Sequence, residues 1–210
     1  MEVYGVTQEN RHSIVASVAA AAASATLHTQ RLLLRPLQLS DAEQTRRLFP
    51  QWEIVKFLNS KVPWPYPPDR VLDVYRNEIL PGIERGEEWH WTLRLKEAPD
   101  QHIGVISLHR DAWDNRGYWL GLPWQGQGLM TEAVIAVNDY WFDVLGFPVL
   151  RAPKAAANVA SRRISEKTGM RLIATLERDY VSGRLTAEIW EIRAEEWRAK
   201  RTEFNCTPSA

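Results

Sequence analysis

The chain has 210 residues, enough for one domain with a full core, and its 45% apolar and 25% charged residues are ordinary for a globular protein. Its 26 Lys and Arg balance 26 Asp and Glu, which gives no support to a nucleic-acid-binding surface or a polybasic membrane anchor. The single cysteine, Cys206, excludes an internal disulfide and a cysteine-built zinc site, and no apolar run reaches the roughly 18 residues of a membrane span.

Residues 1–26 read as a flexible tail, with five consecutive alanines at 19–23 and few large apolar side chains. Ala23-Ser24-Ala25 imitates a signal-peptidase site, but Glu2 and Glu9 offset Arg11, so the positive leader is missing. The expectation is a cytoplasmic protein with one domain over residues 27–200 and a short tail at 201–210. Residues 31–37 predict a strand, with Ser40 and Asp41 as N-cap candidates for a helix through Phe49. Four prolines at 63, 65, 67 and 68 force a stiff loop. Asp69 then caps a helix ending near Pro81-Gly82. Trp89, Trp91, Leu93 and Leu95 alternate with polar residues, the period of a half-buried strand; Ala98-Pro99-Asp100 reads as a turn, and strands follow at 103–109 and 117–122. Apolar residues Met130, Ala133, Val134, Val137 and Trp141 mark an amphipathic helix closed by Gly146. A short strand at 149–152, a helix at 160–168, a hairpin of strands 172–180 and 185–192 turning at 181–184, and a helix at 194–200 complete the chain. Interleaved strands and helices make this an α/β or α+β fold with a mixed sheet.

The most informative stretch is the strand, glycine turn and helix carrying Leu120, Leu122, Gln125, Gly126, Gln127, Gly128, Leu129, Met130 and Thr131. Glycines let backbone approach a ligand, and a helix start offers free N–H groups and partial positive charge, as a pyrophosphate requires. A plain strand-to-helix turn is the alternative. A Rossmann fingerprint would need its third glycine at Thr131, and no Gly-Lys-Ser/Thr follows for a Walker loop.

The string from Gln125 to Met130 resembles the Q/R-x-x-G-x-G/A loop of GNAT N-acetyltransferases, which grips the pyrophosphate of acetyl-coenzyme A. Trp124 to Ala133, and the segment from Asn158 through Ser161 to Gly169-Met170, are similar to the two motifs of the ribosomal-protein N-acetyltransferase (RimJ/RimL-type) subgroup, as are Arg31 to Pro36 and Pro65-Tyr66-Pro67. The resemblance spans about residues 27–197. It implies a GNAT acyltransferase fold with a central sheet of about seven strands, acetyl-coenzyme A as co-substrate and no metal. The partner would be a small-molecule or peptide amine, with no nucleic acid or membrane, and the protein a monomer or homodimer. Met130 replaces the loop's last small residue, and Met170 replaces a Phe.

Site roles follow from the same resemblance. Asn158 would bond the pantetheine arm, and Ser161 would protonate the departing thiolate, although both also fit plain helix capping. The segment 151–171 carries a net +5, with Arg162 and Arg163 the first candidates for coenzyme phosphates. Trp64, Tyr66 and Trp119 are placed on the acceptor side. No general base is evident: the family's usual Glu position is Asn115, and the subgroup's is Tyr180, next to Asp179. No histidine has metal-ligand spacing to another His or carboxylate, and Ser107 sits in a strand without a nucleophile turn. Two rival readings are a non-catalytic acyl-coenzyme A sensor and a nicotinamide- or flavin-binding domain.

Overall fold

The computed structural model describes residues 25–206; the readings of a leader-like site and of a flexible tail before Ala25 lie outside them. Eight strands form two sheets. In the first, β1 (Leu27–His28), β2 (Leu32–Pro36), β3 (Glu88–Leu95), β4 (Ala98–His109) and β5 (Arg116–Leu120) pair antiparallel in chain order. In the second, β8 (Gly183–Arg193) lies between β6 (Val149–Ala155) and β7 (Arg171–Tyr180), again antiparallel. No ladder joins β5 to β6, and that break creates the site.

Helices α1 (Ala42–Leu48), α2 (Trp52–Val55), α3 (Arg70–Val74) and α4 (Leu80–Glu84) precede β3. Helix α5 (Leu129–Asp139) follows β5, α6 (Val159–Lys167) follows β6, and α7 (Ala194–Cys206) follows β8. The main core lies between the first sheet and α5, where Leu32, Leu34, Trp91, Leu93, Ile106 and Leu108 meet Ala133, Val134, Val137 and Trp141. A smaller core joins Val105 and Leu37 to Ala42, Val71 and Tyr75 on the opposite face.

Several elements differ from the sequence pattern for identifiable reasons. Strand β3 is covered on both faces: His90, Thr92 and Arg94 are buried, like Trp91 and Leu93 between them. Arg94 is tolerated there because its Nη2 meets Asp41 Oδ1 at 2.6 Å, a charge paired where solvent cannot reach. Asp41 also accepts from the Gln38 N–H at 2.9 Å, so it fixes the entry to α1 from inside the first turn. Asp69 occupies an N-cap position without a side-chain capping bond. The turn after β3 falls on Lys96-Glu97, and Ala98-Pro99-Asp100 opens β4 instead. Register jumps from Leu95↔Ala98 to Arg94↔His102, so Pro99 lies in a bulge, where its missing N–H costs no ladder bond.

The helix expected to stop near Pro81 runs on to Glu84 because a π-helical turn, Tyr75–Ile79, connects α3 to α4 and leaves Pro81 in a fresh first turn. A second π-turn, Tyr140–Val144, extends α5 to the left-handed Gly146. The hairpin turn is Val181-Ser182, two residues shorter than the pattern suggests. Helix α7 continues past residue 200 to Cys206, anchored by buried Trp197, whose Nε1 donates to Asp139 Oδ1, and by Arg201 on the same carboxylate.

Candidate active site

Asn115 sets the divergence of the two sheets. Its backbone N–H donates to Arg151 O at 2.8 Å and its Oδ1 accepts from Arg151 N at 2.7 Å, while its Nδ2 donates to His109 O and to Asp111 O. All of its polar groups hold the base of β5 to β6 and to the end of β4. Asn115 is a staple and, as a neutral amide, no proton acceptor. Beyond the staple the strands separate around a cleft of ≈ 630 Å³, lined by Tyr118, Trp119, Leu120 and Leu122 on one side and Asn158, Ser161, Arg163 and Lys167 on the other.

The glycine turn closes one end of this cleft. Gly126 (φ 74°) and Gly128 (φ 76°) are left-handed, a conformation that excludes most side chains, and Gly128 is the N-cap of α5. The N–H groups of Leu129, Met130 and Thr131 fall in the first helical turn, where no intrahelical acceptor exists. Met130 is buried in the core and also borders the cleft. Gln125 Nε2 donates to Leu120 O at 2.8 Å and Gln127 Nε2 to Pro123 O at 2.9 Å; both side chains brace the loop. A clasp that sequence reading missed adds to this. Glu132 accepts from Thr29 Oγ1, from Arg31 N and from Arg31 Nε, and Arg31 Nη1 reaches Gln127 O at 3.0 Å. The similarity of residues 31–36 to the subgroup was the only pointer to it.

Across the cleft, Asn158 caps α6 by accepting from Ser161 N at 3.2 Å. The capping is present in the structure, and Ser161 Oγ also lies 2.7 Å from Tyr118 Oη. Burial raises the Tyr118 hydroxyl above its ordinary pKa, with Arg116 and Ser161 pulling the other way, so it holds its proton through the neutral range. The two arginines part company. Arg163 lines the cleft beside Lys167, whereas Arg162 turns away to an ion pair with Glu188 at 2.8 Å.

Two further cavities adjoin. One of ≈ 310 Å³ lies under α1 and α3, with Tyr66, Phe49, Val71, Val105 and Trp119 in its walls and no carboxylate. Trp64 borders none of the three cavities; it is half exposed and tilted against Trp52 at 5.5 Å. The other, ≈ 560 Å³, is reached between β5 and β6 and holds Tyr180 and Lys154 beside Ser161 and Tyr118. The Tyr180 hydroxyl is buried without a hydrogen-bond partner and burial raises its pKa, which disfavours the phenolate a base would need. Lys154, also buried, is pushed down to about 7 by burial and by Arg116, and sits 5.8 Å over the Tyr118 ring. Antiparallel pairing of β3 and β4 brings together Glu88, His90 and His109, which have no suggestive spacing in the chain.

The chain matches the family model for the acetyltransferase (GNAT) domain over residues 31–171. It is 29% identical over 163 residues to probable N-acetyltransferase YjcK of Bacillus subtilis (strain 168), covering 68% of this chain and 82% of that protein. Among solved structures, Mycobacterium smegmatis RimJ in complex with CoA-disulfide superposes with a TM-score of 0.74 at 17% identity, covering 88% of this chain and 96% of that one. A spermidine N-acetyltransferase chimera from Vibrio cholerae and hSSAT superposes with 0.67 at 15% identity, covering 80% and 99%. Among the described residues no helix is long and apolar enough to cross a membrane.

Proposed function

The chain belongs to the GNAT acetyltransferase family, and from that premise we propose that it moves the acetyl group of acetyl-coenzyme A directly to a primary amine bearing an apolar group, such as a protein N-terminal α-amine. The observation that carries this reading is the Tyr118–Ser161 hydroxyl pair, 2.7 Å apart, in the cleft that the glycine turn closes.

The cleft fits the coenzyme. Left-handed Gly126 and Gly128 keep side chains off the turn, the first N–H groups of α5 suit a pyrophosphate, and Arg163 and Lys167 supply cations. The bound co-substrate supplies an activated acyl carbon and a thiolate leaving group. Tyr118 and Ser161 give that thiolate a proton: a raised tyrosine hydroxyl stays protonated, and either oxygen can relay to the other. Asn158 holds Ser161 in place through the helix start.

The acceptor's chemistry follows from the carboxylate-free cavity under α1 and α3. A polyamine needs anions along its length, and this wall has none. An amine must also lose a proton before attack. At pH 7 that costs about 4.6 kcal/mol for a lysine side chain and roughly 1–1.4 kcal/mol for an α-amine, so an α-amine or another low-pKa amine suits a site without a strong base.

The test is a melting scan with acetyl-coenzyme A, nicotinamide and flavin cofactors, then thiol release with Met-, Ala- and Ser-initiated peptides, 2-phenylethylamine, an N-blocked lysine peptide and spermidine. Stabilisation by acetyl-coenzyme A alone and turnover of the α-amines are expected, with 2-phenylethylamine, whose ammonium is nearly as weak an acid as lysine's, turned over far more slowly. Tight binding without thiol release from any amine would make the protein a sensor, and turnover confined to lysine or spermidine would refute the acceptor assignment.

A further inference from the structure

We propose that the string Glu88–His109–Ser107 is the proton acceptor for the incoming amine, with His109 Nε2 as the base. The inference rests on the acetyl-transfer reading above and supplies the group that the sequence lacks at Asn115 and Tyr180.

The geometry is specific. Glu88 Oε2 lies 2.6 Å from His90 Nε2 and 3.4 Å from His109 Nδ1. Hydrogen bonds from His109 and His90 outweigh burial and hold the Glu88 carboxyl down to about 2, so it is ionised and can only accept. With its N–H on the Nδ1 that faces the carboxylate, His109 turns its Nε2 lone pair to Ser107 Oγ at 2.8 Å, whose hydroxyl also reaches Gly117 O at 3.3 Å. His90 is kept neutral by burial, so the Glu88 charge is left for a single imidazolium.

Gly117 makes the string reachable. A Cβ there would sit 3.1 Å from Ser107 Oγ and 3.8 Å from His109 Nε2. Ser107, His90 and Gly117 line the apolar acceptor cavity, while His109, Gly117 and Tyr118 line the cavity between the strands. The base on β4 thus faces Gly117, and the acid Tyr118 is the next residue along β5. The other charged groups on the His109 cavity are Asp111 and Asp114 from the loop, Arg116 of β5, Lys154 of β6 and Arg178 of β7.

The acceptor ammonium passes one proton to His109 Nε2, directly or through the Ser107 hydroxyl, and the imidazolium is paired with Glu88. The freed nitrogen lone pair forms the C–N bond as the C–S bond breaks. The Tyr118–Ser161 pair protonates the thiolate and is replenished by the second nitrogen proton released as the amide forms. His109 returns its proton to solvent, so one proton is released per turnover.

The experiment measures kcat/KM against pH, using whichever panel amine releases most thiol, for wild type, His109→Gln, Glu88→Gln and Lys154→Met, with folding checked by melting and by acetyl-coenzyme A affinity. His109→Gln should lose about 10²-fold at pH 7 with coenzyme affinity unchanged, and its rate should climb about tenfold per pH unit up to the acceptor's own pKa. Glu88→Gln should move the acid limb to lower pH, because the imidazolium loses its carboxylate; Lys154→Met should keep the limb. The relay fails if His109→Gln retains rate and limb, if the limb vanishes in Lys154→Met, or if a chelator abolishes activity and zinc restores it. Coenzyme binding with no turnover of any panel amine by wild type would defeat the acetyl-transfer reading itself.

Discussion

The two halves of the cleft are built from different materials. The half we propose for the coenzyme is backbone: left-handed glycines, a helix start and side chains such as Gln125 and Gln127 that only brace the turn. The acceptor half is side chain: aromatic walls from the segments before β3, and a polar string contributed by β3 and β4. Backbone recognition depends on conformation, so it tolerates Met130 with its side chain buried in the core.

The largest expected effect joins the halves. Tyr118→Phe removes one hydroxyl of the acid pair but keeps the ring over which Lys154 sits. It should lower kcat by about 10²-fold while acetyl-coenzyme A affinity, by calorimetry, stays within twofold. An unchanged kcat would mean that Ser161 alone, or water, protonates the thiolate. Next is a break confined to the coenzyme half. Gly128→Val forces a β-branched residue to φ 76°, at a strain of about 1–3 kcal/mol. Coenzyme affinity should fall roughly 5- to 150-fold, with little effect on the acceptor KM at saturating coenzyme. If the acceptor KM moved equally, the halves would be coupled through the loop.

This division also explains what was legible in the chain. The glycine turn, the cap Asn158 and Ser161 are local in sequence, and each keeps its geometry within a few residues. Asn115 was visible only as a missing carboxylate; its function as a staple depends on Arg151, thirty-six residues away and in the other sheet. Glu88 and His90 are neighbours along β3, but His109 joins them only through the β3–β4 register, which the bulge at Pro99 makes unreadable from spacing. Arg162 and Arg163 look equivalent in sequence. The helix turns one to Glu188 and the other to the cleft. The two π-turns were invisible because each is a single turn of five residues, too short to show a period of its own.

Lys154 gives a smaller, pH-dependent test of the space between the halves. Burial lowers its pKa to about 7, while an unfolded lysine keeps its proton to about 10.4. Between those values the unfolded chain binds more protons, so stability rises with pH; below about 7 the lysine is charged in both states and the full burial cost remains. Lys154→Met should therefore raise Tm by roughly 2–8 °C at pH 6, for about 1–2 kcal/mol, with the gain fading by pH 10. A gain independent of pH would mean that the ammonium is solvated through the cavity.

The smallest effect discriminates most finely within the acceptor half. Tyr66 lines the apolar cavity and packs edge-on against Phe49 at 5.1 Å, whereas Trp64 lies outside it against the exposed Trp52. For a small amine held wholly inside the cavity, Tyr66→Ala should raise the acceptor KM by about tenfold and Trp64→Ala by no more than two- to threefold, both without changing coenzyme affinity. Leu58, Val62 and Tyr66 of the 52–68 segment line the cavity, so a polypeptide acceptor that leaves it along this segment would bring its second and third residues to the Trp52–Trp64 pair. In that case the Trp64→Ala penalty should grow with peptide length, from negligible on a single amino acid amide to several-fold on a tetrapeptide. A penalty that stays flat across that series would confine recognition to the cavity and make the acceptor a small molecule.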